Sequence, residues 1–329
     1  RLINLIDIGP TVLSLAGVMI PEGISGRPFL GKNQGSDREY IYGARDRIDE
    51  RFDLVRTVRS RRFRYCRNLM PWRPALQHCV YGEQNAIMQE MRKLLADGKL
   101  AQQSAQWFET PRAAEELYDI RADPWELVNL ASDPAYSTTL KTLAAECDRW
   151  QLECRDAHLI PEILLDAAEQ EVGNRWQILH SADGLRRTEK LLAAAKSTAH
   201  STAEQTSVTM PQLDADPAVR WWQVMACSKA SNVADFTELL EREAKSDEPA
   251  IRIAAASGLA RTGHVKAAAS TLGELLGHEN SFVRHAAILE IDEAGPEMIE
   301  LTKEHIRKIG NEDYGRRLAN HALDQIGGP

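Results

Sequence analysis

No stretch of this sequence strings together the roughly 18 apolar residues that a membrane span needs. The nearest, Ile3 to Ile20, is interrupted by Asn4, Asp7 and Pro10. A basic excess is missing too: the net charge is −8 at pH 7, which argues against a dedicated nucleic-acid binder. Cysteine is scarce. The five present (Cys66, Cys79, Cys147, Cys154, Cys227) are odd in number and never form a C-x-x-C pair, so a zinc site is not expected. Cys147 and Cys154 stand about two helical turns apart, ~10 Å of rise, too far to be bridged without bending the helix. Histidines lack ligand spacing. His78 precedes all others by a wide margin, and His264, His278, His285, His305 and His321 scatter. Neither an initiator methionine nor a basic-then-apolar leader opens the chain. An apolar segment starts at once, so the expectation is that Arg1 lies inside a larger protein whose export signal, if any, would sit upstream.

What remains is ordinary for a globular protein: 43% hydrophobic and 27% charged residues. The length of 329 residues is enough for two cores. Character changes near His158, and two domains are expected, 1–157 and 158–329. In the first, Asp7-Ile8-Gly9-Pro10-Thr11 punctuates an apolar segment and predicts a helix start with Pro10 in its first turn. Leu13, Leu15, Ala16 and Val18 are expected to bury its face. Residues 21–35 are rich in Gly and Pro and form a loop. Residues 40–43, 54–59 and 63–68 alternate as strands, the last two joined by the polar turn Ser60-Arg61-Arg62 as an antiparallel hairpin. Residues 85–100 and 138–154 have helical spacing, and 116–119 is a further short strand.

The second part carries an internal repeat. Arg220, Arg252, Arg284 and Arg316 follow one another at 32-residue intervals. Asp216, Glu248, Asn280 and Glu312 stand four residues before each, where a helix N-cap belongs. Gly263, Gly295 and Gly327 fall eleven residues after the last three arginines, where a helix stops. A fixed period of this length predicts stacked helix pairs, similar to HEAT repeats. Residues 196–216, rich in Ser, Thr, Ala and Gln, read as a linker.

Three stretches of the first part resemble the C-terminal region of sulfatases of the alkaline-phosphatase superfamily. Asp7 to Gly17 is similar to the family's D-x-x-P-T-x-x-x-x-A-G helix, with Gly26-Arg27-Pro28 in the loop behind it. Arg56 to Tyr65 is similar to R-x-V-R-x-x-x-Y-K-Y. Glu116-Leu117-Tyr118-Asp119, continuing through Asp123-Pro124 to Asn129-Leu130-Ala131, is similar to E-L-Y-D-L-x-x-D-P-x-E-x-x-N-L-A. Asn68 to Pro71, Tyr81 and Trp150 to Glu153 look most like heparan N-sulfatase-like members. The fold class expected is therefore α+β, a small antiparallel sheet with packed helices, followed by an all-α HEAT-like solenoid.

The resemblance implies hydrolysis of sulfate esters or sulfamates, with sulfated glycans or sulfated small molecules as partners and a periplasmic or extracellular setting. It implies a formylglycine nucleophile, matured from a C/S-x-P/A-x-R motif, beside a calcium ion. None of the five cysteines has that context, and the family's calcium-binding acids are not matched. Both groups are expected in a missing N-terminal half, with no catalytic residue, metal ligand or cofactor in this chain. The loop after Tyr40-Ile41-Tyr42 is expected to approach substrate, with Arg45, Asp49, Glu50 and Arg51 as binding residues. Guanidinium groups suit sulfate or carboxylate, and acids suit hydroxyls or an amine. Arginine is dense between residues 45 and 73, ten against four acids, either a patch that attracts polyanions or a solvated hairpin face. A second function class is a binding module, with the solenoid holding a protein or glycan partner.

Overall fold

The computed structural model of the chain describes residues 1–310 and 314–327. In chain order, α1 (Ile8–Leu15) is followed by a long loop and three strands, β1 (Ile41–Ile48), β2 (Arg51–Arg59) and β3 (Phe63–Asn68). Short helices α2 (Val80–Glu83), α3 (Ala86–Ala96) and α4 (Gln102–Ala105) precede β4 (Glu115–Asp119) and the long α5 (Ser137–Glu153). The strands form one antiparallel sheet in the order β1-β2-β3-β4, with Tyr65 opposite Leu117 and Phe63 opposite Asp119. From there the chain is helical: α6 (Glu162–Val172), α7 (Arg175–Leu179), α8 (Gly184–Ala203), α9 (Pro217–Lys229), α10 (Thr237–Glu243), α11 (Pro249–Arg261), α12 (Val265–Leu275), α13 (Ser281–Ala294), α14 (Pro296–Ile306) and α15 (Tyr314–Asp324). The expected class, α+β followed by helical repeats, is the one observed. No described helix is long and apolar enough to cross a membrane.

Two compact units emerge, and they do not divide at residue 157. The first comprises residues 1–45, 55–67 and 115–150; the second comprises 46–54, 68–114 and 151–329. Residues 46–54 and 68–114 join the helices because their apolar side chains do. Phe52, Leu54, Leu69, Met70 and Ala114 belong to the same core cluster as Leu159, Trp222 and Ile288.

In the first unit the core is small: Val58, Tyr65, Leu117, Leu143 and Cys147. Helix α1 buries the opposite face from the one its leucines suggest. Pro10, Thr11 and Ser14 are its buried residues, whereas Leu15 is 61% and Val12 58% exposed. The Gly/Pro loop explains this, because it packs across the small polar side. Thr11 Oγ1 accepts the Phe29 N–H at 3.1 Å and Ser14 Oγ the Asn33 N–H at 3.1 Å. A Cβ on Gly31 would lie 2.4 Å from Ser14 Oγ, so only glycine permits that approach. Asp7, nearly buried, accepts the backbone N–H groups of Asn4 and Arg27 and pairs with Arg38 at 2.6 Å. Those donors hold its carboxyl below the usual range, although burial pulls the other way.

The arginine-dense stretch is not a free basic surface. Arg61 pairs with Asp37, Arg62 with Asp119, Arg64 with Glu126 and Arg67 with Asp148. Arg56 and Arg67 are each only 2% exposed.

In the second unit the 32-residue period is realised in space. Arg220, Arg252, Arg284 and Arg316 sit at equivalent positions of α9, α11, α13 and α15. Asp216 and Asn280 cap their helices by accepting N–H groups two residues on, while Glu248 occupies the cap position without such a bond. Glu312, the fourth of that series, lies outside the described residues. Gly263, Gly295 and Gly327 all have positive φ, the backbone state a helix stop demands. The linker expected at 196–216 is in part helix, since α8 runs to Ala203. The two threonines of that helical part bond back along it, Thr198 to Ala194 and Thr202 to Thr198.

Candidate functional site

The segment expected to be a substrate-facing loop is a strand, a two-residue turn and a strand. β1 continues to Ile48 and β2 begins at Arg51, leaving Asp49 and Glu50 as the turn. Asp49 takes φ +48°, a left-handed state that aspartate tolerates because its short side chain bonds locally.

Of the four candidate residues, Arg45 and Asp49 are half-buried, and Glu50 and Arg51 are interior. Arg45 lies on β1 in the first unit, where its carbonyl accepts from Arg56 at 3.3 Å. The other three belong to the second unit. Glu50, 1% exposed, accepts the Val80 N–H at 2.6 Å and lies 3.5 Å from Arg317 of α15. Arg51 pairs with Asp292 of α13 at 2.6 Å and donates to the His78 carbonyl. Asp292 also accepts from Gln325 at 2.8 Å. The structure brings Asp49, Glu50 and Arg51 together, but turns Glu50 and Arg51 to internal partners.

Neighbouring residues follow the same pattern. Arg47 clamps Glu162 of α6 through Nε, at 2.9 Å, and a terminal nitrogen, and its other terminal nitrogen lies 2.7 Å from His285 Nε2. Asp46 lies 2.9 Å from His158 Nδ1. Arg73 meets Glu293 at 2.6 Å and Glu290 at 3.2 Å. Glu290, buried and reached by Lys229 and Arg73, has its carboxyl held below the usual range against its own burial. Beside the turn, His78 and His321 stack with centroids 3.5 Å apart.

Sequence reasoning missed the partners of this tip, yet a signal existed. Trp221, Ile253, His285 and Arg317 each stand one residue after the arginine series. Two members of that column, His285 and Arg317, both reach Glu50.

Among the described residues, Asp49, Glu50 and Cys79 place one potential ligand atom each within 4.8 Å of one another. This set does not fit calcium, which takes six to eight oxygen ligands. A thiol is too soft a donor, and Glu50 is already engaged.

With this geometry in view, the chain is similar to two kinds of protein, sulfatases and proteins built of HEAT repeats. Residues 206–292 and 236–324 match the family of HEAT repeats. An ulvan-active sulfatase of Formosa agariphila is 40% identical over 162 residues, 49% of this chain and 27% of that protein. A second ulvan-active sulfatase of the same organism is 30% identical over 156 residues, 46% of this chain and 29% of its own length. The human N-sulphoglucosamine sulphohydrolase is 26% identical over 199 residues, 54% and 38% of the two chains. The homologues are thus sulfatases, and the chain spans under two fifths of the length of each.

Proposed function

We propose that this chain is part of a sulfatase acting on sulfate esters or sulfamates of a glycan, with the bond-breaking groups elsewhere in the enzyme. The observation that carries the reading is the 40% identity over 162 residues to an ulvan-active sulfatase. The outer face of the first unit adds to it. Leu5, Ile6, Ile8, Val12 and Leu15 are all at least half exposed, within a stretch of eleven residues. Single exposed apolar residues are normal, but a cluster marks a surface meant to be covered. The remaining portion of a longer enzyme is the cover proposed.

In that portion a formylglycine would supply the covalent step and calcium the charge stabilisation; no residue of the present chain is assigned to either. Within this chain, contact with the sugar falls to half-exposed groups, Arg45 and Asp49, while Glu50 and Arg51 anchor the turn from inside. The test compares this chain with the whole protein on 4-nitrocatechol sulfate and on a sulfated disaccharide. The whole protein should turn over at least one of them and lose activity on chelation; the chain alone should turn over neither. Calcium-dependent turnover by the chain alone would refute the division of labour. Inactivity of the whole protein on every sulfate ester and sulfamate offered would refute the sulfatase reading itself.

A further inference from the structure

The last turns of α9, α11 and α13 carry Lys229, Arg261 and Glu293 at 32-residue steps. Together with Ser257, Glu290 and the small residues Ala260 and Ala294, they line a cleft of about 230 Å³. A cavity of about 150 Å³ is enough to enclose benzene, so this one has room for a six-membered ring that bears substituents.

We propose that this cleft binds a hydroxylated monocarboxylate about the size of one sugar acid. Counting charges points to a single negative charge on the ligand. Arg73 meets Glu293 at 2.6 Å and Glu290 at 3.2 Å, and Lys229 lies 3.7 Å from Glu290. Two acids are thus balanced by two cations, and Arg261 is left over, with no acidic partner among the described residues. Its Nη1 donates to the carbonyls of Ser228 and Ala230, at 2.5 and 3.4 Å. Its Nε and Nη2 bond to no described residue, and that edge is the fork that meets a carboxylate through two parallel hydrogen bonds.

The other lining groups narrow the ligand further. Lys229 is already held by Ser257 at 2.8 Å and over the Trp72 ring, so the free fork of Arg261 offers two donors, one for each carboxylate oxygen. A sulfate ester brings a third terminal oxygen, and a phosphate a second charge, and either finds Glu290 and Glu293 in place of a further donor. Glu293 Oε1 takes its bond from Arg73, while Oε2 has no partner among the described residues and can accept from a hydroxyl. An ammonium there would share the cleft with Lys229 and Arg261, so a neutral donor suits it better. The methyl groups of Ala260 and Ala294 accommodate the C–H part of such a ring.

Saturation-transfer NMR and calorimetry on the purified chain, with methyl glucuronoside and methyl galacturonoside as probes, test this. At least one should bind with a millimolar or tighter Kd. It should bind at least tenfold better than its uncharged amide, than the 6-sulfate or 6-phosphate of the parent glycoside, and than acetate, which has the charge without the hydroxyls. Arg261→Gln should weaken binding at least tenfold. Ala294→Leu, which fills the cleft and leaves every charge in place, should do the same with an unchanged circular-dichroism spectrum. No binding by either probe, equal binding of the amide or of acetate, a preference for the sulfate or phosphate, or full affinity in either variant would each overturn the inference. The readout is binding to the helical repeats of this chain, so failure here leaves the sulfatase reading standing, and the reverse also holds.

Discussion

Arg51 and Asp292 show what a buried charge demands of its surroundings. With side chains 6% and 5% exposed, they meet at 2.6 Å. Removing one partner leaves the other desolvated and unpaired. Arg51→Ala is expected to lower stability by about 3–5 kcal/mol, read as a shift in urea midpoint. Arg186→Ala serves as the control, because its pair with Asp183 is largely exposed and such pairs contribute about 0–1 kcal/mol. The stacked histidines make a second prediction. Burial, and then the neighbouring His321, push His78 down to about 4. His321 is lowered as well, mainly by burial. Arg51 and Arg92 reinforce both shifts, while Glu83 opposes the first and Asp292 and Asp324 the second. A histidine whose folded pKa lies below its unfolded value stabilises fully above the unfolded pKa, near 6.5. That stability is lost as pH falls from there toward 4. The Tm should drop by a few degrees across this window, and His78→Phe should flatten the drop.

At the scale of elements, helix packing turns on single atoms. Gly258 of α11 sits where a Cβ would lie 2.7 Å from Leu240 Cδ1 and from Ser228 Oγ, and 3.0 Å from Ser228 Cα. The Cα belongs to backbone and cannot rotate away. Gly258→Ala should therefore cost about 1–3 kcal/mol through overpacking, despite alanine's better helix propensity; a gain in Tm would reject this account. Helix α1 behaves oppositely. Replacing Val12 and Leu15 by Gln should change stability by no more than about 0.5 kcal/mol, while reducing concentration-dependent self-association in light scattering.

Elements also show where sequence reading works. The repeat was legible because its markers are local: an acid, an arginine four residues on and a glycine eleven beyond report the start and stop of one helix. β3, β4 and α5 were legible for the same reason, since alternation and helical spacing need only near neighbours. The burial of α1 was not, because Thr11 and Ser14 are buried by a loop whose approach depends on Gly26 and Gly31. The tip of β1 and β2 was misread as a loop because its charged residues look solvated until α13 and α15 supply partners. Arg45, Asp49, Glu50 and Arg51 could be picked as a cluster from sequence. Which of them face inward could not, as Asp292 and Arg317 lie more than 240 residues away.

For the molecule as a whole, that separation governs the order in which it can be made. A ribosome adds about 5–20 residues per second, so the Asp49-Glu50 turn emerges on the order of ten seconds to a minute before Asp292 and Arg317. Through that interval Glu50 and Arg51 have no ion-pair partners to accompany them into the interior, and the apolar residues beside them, Phe52 and Leu54, lack most of the core they join. Contacts of such sequence span close late and slowly. A chain halted before α13 should consequently be cleaved by trypsin at Arg47 and Arg51, which the finished protein protects, and nascent chains of that length are where a holdase chaperone would be found. Synthesis of the repeat that carries α15 is thus the event that seals a hairpin made more than 240 residues earlier.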